Sequence, residues 1–527
     1  MVVDSLTEQF GIRSLEFSPE FGFKLNGKKI FLQGNANHHD LGALGAASYD
    51  RAIERMMLQL KSFGYNCIRC SHNPYSESFA RIADRVGMLV VNELTDKWSD
   101  NDYWGGRQPF TYLWHKLITE WIKRDRNRPS IILWSLGNEL QIREGWAGFE
   151  GTNDWGITTY NIFNQLVKRW DHTRLTTVAM FPARAGAITR HDKEFNDYLV
   201  PPELACATEV ASFNYQSDKY DAYLKYQPDL ILFQSEAETS KLLQPYYNMD
   251  RKRTVGMAYW GSAEYWGESN KWPKKGWNYS FFDHTMRPYP QAYLIKSAFM
   301  PEIPEVHIGV VDAAGAESVS WNDVTVGRMA LNECWNHIPG SRQSLFTYTN
   351  AHSVELLVNG QSMGVQQNDT TQANLRNMIY WKDVPYGNGG SVVAIARDKS
   401  GKEVARHRIE TAGKAVALQI ETETPADWKA DGMDLQYINV TAIDKKGRPV
   451  WDYNEPLTLQ MEGAARLVAL DNGDHYTDEL FQGITSKRMY QGRMQIILRS
   501  TKTPSNVKLK ISSADLKEKL SLKTFLK

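Results

Sequence analysis

The feature that most constrains the fold of this chain is a regular alternation of short apolar runs and longer amphipathic segments between residues 29 and 300. The short runs have the length of buried strands, whereas the longer segments carry apolar residues at helical spacing, as Ile53, Met57 and Leu60 do. Eight strands alternating with helical or loop segments over about 270 residues predict an α/β fold, a parallel (β/α)8 TIM barrel. A doubly wound open sheet is the rival fold, but no Gly-x-Gly-x-x-Gly phosphate loop opens the first unit.

The predicted barrel strands are short runs rich in apolar residues. In chain order they are Lys29–Gln33, Tyr65–Cys70, Met88–Asn92, Ser130–Leu136, Leu175–Ala179, Val210–Tyr215, Leu230–Phe233 and Thr254–Trp260. We place the barrel domain at residues 21–302.

After about residue 303 the sequence changes to short alternating runs separated by turn signals. One of these signals, Asn359-Gly360, follows an apolar run and is typical of a two-residue hairpin turn. The pattern predicts two β-sandwich modules that meet near Gly413, at residues 303–413 and 414–527, the second of them immunoglobulin-like.

Composition excludes several classes of partner. The chain of 527 residues has 61 Lys+Arg and 61 Asp+Glu, so it lacks the basic excess that binding to nucleic acid or to an anionic membrane needs. No apolar run approaches the ~18 residues that span a bilayer. We therefore predict no nucleic-acid and no membrane partner. The first residues show no basic and apolar leader, so we also expect no signal peptide here.

Polar side chains follow the predicted strands at their carboxyl ends, where the functional groups of a barrel project. In chain order they are His38, His39, Asp40, Arg69, His72, Asn73, Glu93, Asn138, Glu139, Asn214, Tyr215, Glu236, Glu238 and Trp260. Each of them alone is compatible with a structural role, but together they form a rim rich in carboxylates.

Two carboxylates at the ends of the fourth and seventh strands can lie on either side of a glycosidic bond. One of them protonates the leaving oxygen while the other attacks the anomeric carbon. Glu139 ends the fourth strand, and Glu236 or Glu238 ends the seventh. Because this chemistry needs no metal ion, we predict neither a metal nor a cofactor.

Five segments, in this order and spacing, resemble the barrel of glycoside hydrolase family 2. They are Phe23-Lys-Leu-Asn-Gly-Lys28, Gly34-Asn-Ala-Asn-His-His-Asp40, Asn66-Cys-Ile-Arg-Cys-Ser-His-Asn-Pro74, Trp134-Ser-Leu-Gly-Asn-Glu139 and Leu232-Phe-Gln-Ser-Glu236. This family contains β-galactosidases, β-glucuronidases and β-mannosidases with a two-step retaining mechanism. The tail resembles the extra β-sandwich modules of bacterial members that degrade polysaccharides.

The resemblance implies catalytic roles for two residues. Glu139 matches the general acid/base and Glu236 the nucleophile, since the Ser-Glu context favours Glu236 over Glu238. Strand periodicity by itself leaves these two open, because it places both on one face.

The resemblance also implies substrate-binding residues. His38 and His72 match ligands of sugar hydroxyls, and Asn138 matches the contact to the 2-hydroxyl. Tyr215 matches the tyrosine that touches the nucleophile, and Trp260 matches the aromatic floor. Glu93 matches a position that binds magnesium in some galactosidases, and we interpret it here as a hydrogen-bonding carboxylate.

Members of the family begin with a jelly-roll domain and an immunoglobulin-like domain. Phe10-Gly-Ile-Arg13 resembles the last strand of the second, so we interpret residues 1–20 as a remnant of it and expect most of both domains to be missing. Export to the periplasm or the medium is favoured by the resemblance alone, and a homo-oligomer is left open.

The sequence favours a β-galactoside as the substrate. Family glucuronidases recognise the substrate carboxylate with an Asn-x-Lys motif, and the nearest match, Pro273-Lys-Lys275, lacks the asparagine. The predicted function is therefore a retaining exo-β-galactosidase acting on oligo- or polysaccharides. The alternatives are a β-glucuronidase, another family 2 glycosidase, or a non-catalytic carbohydrate-binding fragment.

Overall fold

The computed structural model describes residues 4–5, 7–98, 110–140, 156–181, 201–269, 271–312, 317–321, 324–423 and 426–526. The chain divides into two compact units. The first, the barrel unit, comprises Met1–His39, Leu60–Ser262 and Ser318–Val326. The second, the sandwich unit, comprises Asp40–Gln59, Ala263–Glu317 and Gly327–Lys527.

The barrel unit contains a small antiparallel sheet followed by a closed barrel of eight parallel strands. The small sheet consists of β1 (Leu15–Ser18), β2 (Gly22–Leu25) and β3 (Lys28–Lys29). The barrel strands are β4 (Leu32–Asn37), β5 (Cys67–Cys70), β6 (Leu89–Glu93), β7 (Ile131–Asn138), β8 (Leu175–Met180), β9 (Val210–Asn214), β10 (Leu232–Ala237) and β11 (Gly256–Trp260).

Eight helices are described along the chain. They are α1 (Asp50–Ser62), α2 (Glu77–Val86), α3 (Phe110–Asp125), α4 (Ile157–Trp170), α5 (Glu203–Ala207), α6 (Tyr220–Tyr226), α7 (Gln244–Asn248) and α8 (Pro290–Phe299). Within the described ranges, none of them combines the length and the apolar character that a membrane span requires.

The predicted (β/α)8 barrel is confirmed, and each predicted strand overlaps an observed one. The first differs most, because Lys29 pairs with Lys24 in the small antiparallel sheet and the barrel strand starts only at Leu32. Phe10–Arg13, interpreted from the sequence as a strand, has no regular secondary structure. A strand needs a neighbour for its backbone hydrogen bonds, and none of the pairings described includes these residues.

Burial explains why each barrel strand corresponds to a short run of mostly apolar residues in the sequence. All eight residues of β7, from Ile131 to Asn138, are buried. Strands of a parallel barrel are covered on both faces, so they lack the alternation of half-exposed strands. Since all eight strands run in one direction, their carboxyl ends lie at one edge of the barrel, and the polar residues that end them are brought together there.

Two β-sandwiches lie in the sandwich unit, which confirms the predicted fold of the tail. The strands of the first are β14 (Val306–Val311), β17 (Leu331–Asn332), β18 (Arg342–Thr349), β19 (Ser353–Val358), β20 (Gln361–Gln367), β21 (Met378–Pro385), β22 (Ser391–Arg397) and β23 (Glu403–Glu410). Those of the second are β24 (Ala417–Thr422), β25 (Leu435–Ile443), β26 (Pro456–Glu462), β27 (Ala465–Asp471), β28 (Ser486–Arg488), β29 (Arg493–Ser500), β30 (Asn506–Ser513) and β31 (Leu516–Lys523). Two short pairs, β12 (Tyr265–Trp266) with β13 (Gly276–Trp277) and β15 (Glu317–Trp321) with β16 (Val324–Arg328), complete the strands.

The hairpin predicted at Asn359-Gly360 is confirmed. These two residues join β19 to β20, and Val358 pairs with Gln361 across the turn. Both have positive φ, +51° and +83°, as a two-residue turn matching the twist of the strands requires.

The closing seam of the barrel yields a prediction about stability. Gly256 of β11 pairs with Leu32 of β4, and a Cβ at position 256 would overlap both the backbone and the Cβ of Leu32. We expect Gly256→Ala to lower the free energy of unfolding by about 1–3 kcal/mol, measured by urea denaturation. Gly387→Ala is the matched control, since no atom lies within 4 Å of the added Cβ, and it should change stability by less than about 0.5 kcal/mol. Equal losses in both variants would contradict the steric argument.

Candidate active site

A buried arginine lies at the centre of the polar cluster formed by the strand ends. Arg69, on β5, donates from Nε and Nη2 to Glu93 Oε2 at 3.0 and 2.8 Å. Its Nη1 donates to Glu236 Oε1 at 2.6 Å, and its Nη2 to Asn138 Oδ1 at 2.9 Å. One guanidinium with fixed geometry therefore connects side chains from β6, β7 and β10.

Glu93 is held through both of its carboxylate oxygens. Ser135 Oγ donates to Oε2 at 2.7 Å, and His72 Nδ1 lies 2.6 Å from Oε1. Burial alone would raise the pKa of Glu93, but the charge of Arg69 and the hydrogen bond from His72 outweigh it and lower the pKa. These contacts fit the interpretation of Glu93 as a hydrogen-bonding carboxylate.

Three aromatic rings form a wall beside this cluster. The ring of His72 stacks on Trp260 at 5.2 Å between centroids, with 6° between the planes. His38 stands edge-on to both rings, at 5.6 Å from His72 and 5.1 Å from Trp260. A flat apolar face beside polar groups suits a sugar ring, whose C–H face stacks while its hydroxyls form hydrogen bonds.

Glu236, at the end of β10, has a donor on each carboxylate oxygen. Arg69 contacts Oε1, and the hydroxyl of Tyr215 donates to Oε2 at 2.6 Å. The backbone N–H of Tyr215 also donates to the Glu236 carbonyl at 2.8 Å. Tyr215 has a φ of +61°, a conformation that costs about 1–3 kcal/mol in a residue with a side chain, and that recurs where a side chain must be aimed.

Glu139 follows β7 and is 7% exposed. Asn214 Nδ2, at the end of β9, donates to Glu139 Oε1 at 3.1 Å and to Asn138 Oδ1 at 3.0 Å. Ser235 Oγ fixes this amide by donating to Asn214 Oδ1 at 2.7 Å. Glu139 also has positive φ, +48°. Hydrogen bonds through Asn214, Asn138 and Arg69 thus connect the two carboxylates.

The structure separates the two carboxylates that the sequence left open. Pairing of β10 with both of its neighbours is irregular beyond Gln234, so the strand alternation that would place Glu236 and Glu238 on one face is interrupted. Glu236 contacts Arg69, whereas Glu238 Oε2 lies 2.6 Å from Nζ of Lys241. Only Glu236 therefore takes part in the cluster around Arg69.

Every residue that the sequence analysis assigned to the site lies at this end of the barrel. They are His38, His72, Asn138, Glu139, Tyr215, Glu236 and Trp260. Arg69 and Asn214, which link them, were placed at the strand ends from the sequence but were given no role. Asp96, whose Oδ1 accepts from Asn138 Nδ2 at 3.1 Å, was not predicted. A signal was present for Arg69, because a charged residue inside a buried apolar strand needs a partner of opposite charge.

Models of known protein families match three segments of the chain. The family model described as "Glycosyl hydrolases family 2, TIM barrel domain" matches residues 20–252, and that of "Glycoside hydrolase family 2 C-terminal domain 5" matches residues 418–520. Together they cover more than half of the chain. A domain of unknown function, DUF4982, matches residues 340–405. The chain belongs to glycoside hydrolase family 2.

Individual relatives carry two different activity names. "Beta-galactosidase BoGH2A" of Bacteroides ovatus is 27% identical over 98% of this chain and 64% of its own length. A "putative beta-glucuronidase" of Formosa agariphila is 26% identical over 95% of this chain and 49% of its own length. A crystal structure of a family 2 member from Bacteroides cellulosilyticus superposes with a TM-score of 0.86 at 28% identity, covering 98% of this chain and 65% of that one. The chain spans about half to two thirds of the length of these relatives.

The contact between His72 and Glu93 yields a prediction about pH. Burial lowers the pKa of His72, but the hydrogen bond and charge of Glu93 outweigh it, so the pKa lies above the ordinary 6.5. A raised histidine pKa gives stability that is fully present below about pH 6.5 and is lost as the pH rises through the folded-state value. We expect His72→Gln to cost about 1–3 kcal/mol of unfolding free energy at pH 6 and clearly less at pH 9.

The control for this measurement is the same substitution in a Glu93→Gln background. Without the carboxylate, burial is no longer outweighed by Glu93, so the excess cost of His72→Gln at pH 6 over pH 9 should shrink or change sign. A cost in the wild-type background that is equal at both pH values would contradict the assignment.

Proposed function

We propose that the protein is a retaining exo-β-glycosidase that removes terminal β-D-galactose from oligo- or polysaccharides. The observation that carries this proposal is the pair of buried carboxylates at the ends of β7 and β10. Glu139 and Glu236 are each held by separate donors, and Glu236 Oε1 lies 3.8 Å from Nε2 of His72 in the wall of His38, His72 and Trp260.

In the first step Glu139 acts as a general acid. Its carboxyl proton passes to the glycosidic oxygen as the bond to the anomeric carbon breaks, and the leaving alcohol departs. A carboxylate oxygen of Glu236 attacks the anomeric carbon from the opposite face and forms a glycosyl ester. Arg69 and Tyr215 hold the carboxylate of Glu236 in place for this attack.

In the second step Glu139, now ionised, acts as a general base. It takes a proton from a water molecule whose oxygen attacks the anomeric carbon, and the ester bond to Glu236 breaks. Two inversions leave the sugar with its original configuration. Asn214 orients Glu139 in both steps, and Asn138 contacts the 2-hydroxyl, where a hydrogen bond that strengthens in the transition state lowers the barrier.

Replacing the nucleophile tests this assignment against a neighbouring carboxylate. Glu236→Gln should lower kcat on the order of 10⁴-fold or more, because the amide cannot form the ester. Glu238→Gln is the matched control and should stay within about 3-fold of wild type, since Glu238 is paired with Lys241 rather than with Arg69. A 2-deoxy-2-fluoro-glycoside with a good leaving group should trap the ester, and peptide mass spectrometry should find it on Glu236. An adduct on Glu238 would instead identify Glu238 as the nucleophile.

Observations on two sides bear on which sugar is removed. Similarity to the B. ovatus β-galactosidase extends over almost the whole chain, and Pro273 replaces the asparagine of the glucuronidase motif. In the other direction, the F. agariphila relative is named a putative β-glucuronidase, and Lys275 keeps the lysine of that motif. Nζ of Lys275 is buried and has no hydrogen-bond partner among the described residues, which is the reason to keep β-glucuronides as the second candidate.

Initial rates on nitrophenyl β-glycosides decide between these sugars. We expect the galactoside to be turned over fastest among galactoside, glucuronide, mannoside and glucoside. Lys275→Met should then leave kcat/KM for the galactoside within about 3-fold, with exposed Lys271→Met as the control. A preference for the glucuronide that falls by about 10- to 100-fold in Lys275→Met alone would establish the second candidate. Absence of turnover on all four, and on longer β-galactosyl glycans, would favour a non-catalytic carbohydrate-binding role.

The domain organisation is part of the same proposal. We place the catalytic barrel at residues 21–302 and the β-sandwiches at 303–413 and 414–527. The matched segments at 340–405 and 418–520 support this division, because each falls inside one proposed sandwich.

A further inference from the structure

Three buried side chains of the sandwich unit converge around one carboxylate oxygen. Glu264, His284 and His475 are 4%, 4% and 3% exposed. Glu264 Oε2 lies 3.4 Å from His284 Nδ1 and 3.1 Å from His475 Nε2, and all three atoms lie within 4.8 Å of one another. The proposed glycosidase mechanism uses none of them.

The tautomer of His284 is set by a second carboxylate. Its Nε2 lies 2.8 Å from Oδ1 of buried Asp471, so the Nε2 proton is donated there. In the neutral ring, Nδ1 then presents a lone pair to Glu264 Oε2, and two lone pairs repel each other unless a cation lies between them. A carboxylate that orients the far nitrogen of a histidine is the usual outer partner of a metal-bound imidazole.

The other two members are also oriented towards a common centre. Glu264 Oε1 accepts from the hydroxyl of Tyr289 at 2.8 Å, which leaves Oε2 facing the histidines. Trp266 stacks on His475 at 4.9 Å between centroids. Nδ1 of His475 is buried without a hydrogen-bond partner among the described residues, so hydrogen bonding alone does not explain the position of this ring.

We propose that Glu264 Oε2, His284 Nδ1 and His475 Nε2 bind a divalent transition-metal cation of the zinc type. Ligands about 2.0–2.1 Å from a tetrahedral ion lie about 3.3–3.4 Å apart, close to the two separations given above. Two imidazoles and one carboxylate suit zinc and its neighbours better than magnesium or calcium. A cavity of about 180 Å³, which Glu264 and His475 help to line, gives the ion a route of entry.

Charged side chains of both signs surround the cluster. Glu264 and Asp471 are buried carboxylates and Asp40 is a partly buried one, and all three act on these rings. Arg328 lies 3.5 Å from Glu264, Lys274 also interacts with Glu264, and Lys487 interacts with Asp471. Protons compete with the metal ion for the histidine nitrogens. Binding should therefore weaken as the pH falls.

A second cluster of the same composition provides the control. His307 Nε2 lies 3.0 Å and His407 Nε2 3.9 Å from Glu333 Oε1. The backbone N–H of Ile308 donates to Nδ1 of His407 at 3.1 Å, and burial lowers the pKa of His407 to about 4. Since Nδ1 of His407 accepts this hydrogen bond, the neutral ring carries its proton on Nε2, the atom that would have to bind the metal, and we expect no metal at this cluster.

Metal binding is measured on the full chain without substrate, which separates it from the proposed glycosidase activity. After treatment with a chelator and dialysis against Zn²⁺ at pH 8, elemental analysis should find one zinc per chain, and Zn²⁺ should raise Tm by about 2 °C or more. Co²⁺ in place of Zn²⁺ should give the visible absorption of a tetrahedral site. His475→Gln should lose the zinc, the shift and the absorption, whereas His407→Gln should keep all three. At pH 5.5 the wild type should retain much less zinc.

Three outcomes would overturn the proposal. The first is less than about 0.2 zinc per chain at pH 8, which would leave a protonated histidine between two carboxylates. The second is stoichiometric zinc that persists in His475→Gln. The third is zinc that is lost in His407→Gln but not in His475→Gln. If His475→Gln does not fold, Glu264→Gln replaces it, and the cobalt spectrum of the wild type gives the answer without any variant.

Discussion

The buried guanidinium of Arg69 is the interaction on which the rest of the barrel site depends. Burying a positive charge is costly unless opposite charges and acceptors surround it, and here two carboxylates and an amide do so. The same contacts fix Glu93, Glu236 and Asn138 relative to one another, although each comes from a different strand. Removal of Arg69 would leave two buried carboxylates without their cation, so the cluster is held as a unit. The wall of His38, His72 and Trp260 contacts it through His72.

The fold makes such a cluster possible because parallel strands all end at one edge. Helices and loops between the strands carry the chain back, so residues far apart in sequence meet where the strands stop. Two of them, Glu139 and Tyr215, lie just past a strand end with positive φ. Strained backbone at these positions is stabilised by the packed barrel beneath them, and it directs both side chains into the cluster.

Much of this could be predicted because it depends on local pattern. Buried parallel strands appear in the sequence as short apolar runs, so the eight strands and the barrel could be located. Asn359-Gly360 indicates a hairpin because both residues tolerate positive φ. The predicted strand boundaries were less accurate. Lys29 was assigned to the first barrel strand, but it pairs in the small antiparallel sheet instead. The alternation of side chains along a strand could not decide between Glu236 and Glu238. Alternation holds only for a regular strand, and the pairing of β10 is irregular at these residues.

The sequence by itself determined the order of strands and helices, the two sandwiches and the carboxylates at the strand ends, because burial and turn chemistry act on neighbouring residues. Only the tertiary structure decided which polar groups meet. Asn214 of β9 reaches Glu139 past β8, and His475 meets Glu264 and His284 from a distant part of the sandwich unit. No spacing in the sequence reveals such meetings, because the distance between side chains is set by how the elements pack rather than by their separation along the chain.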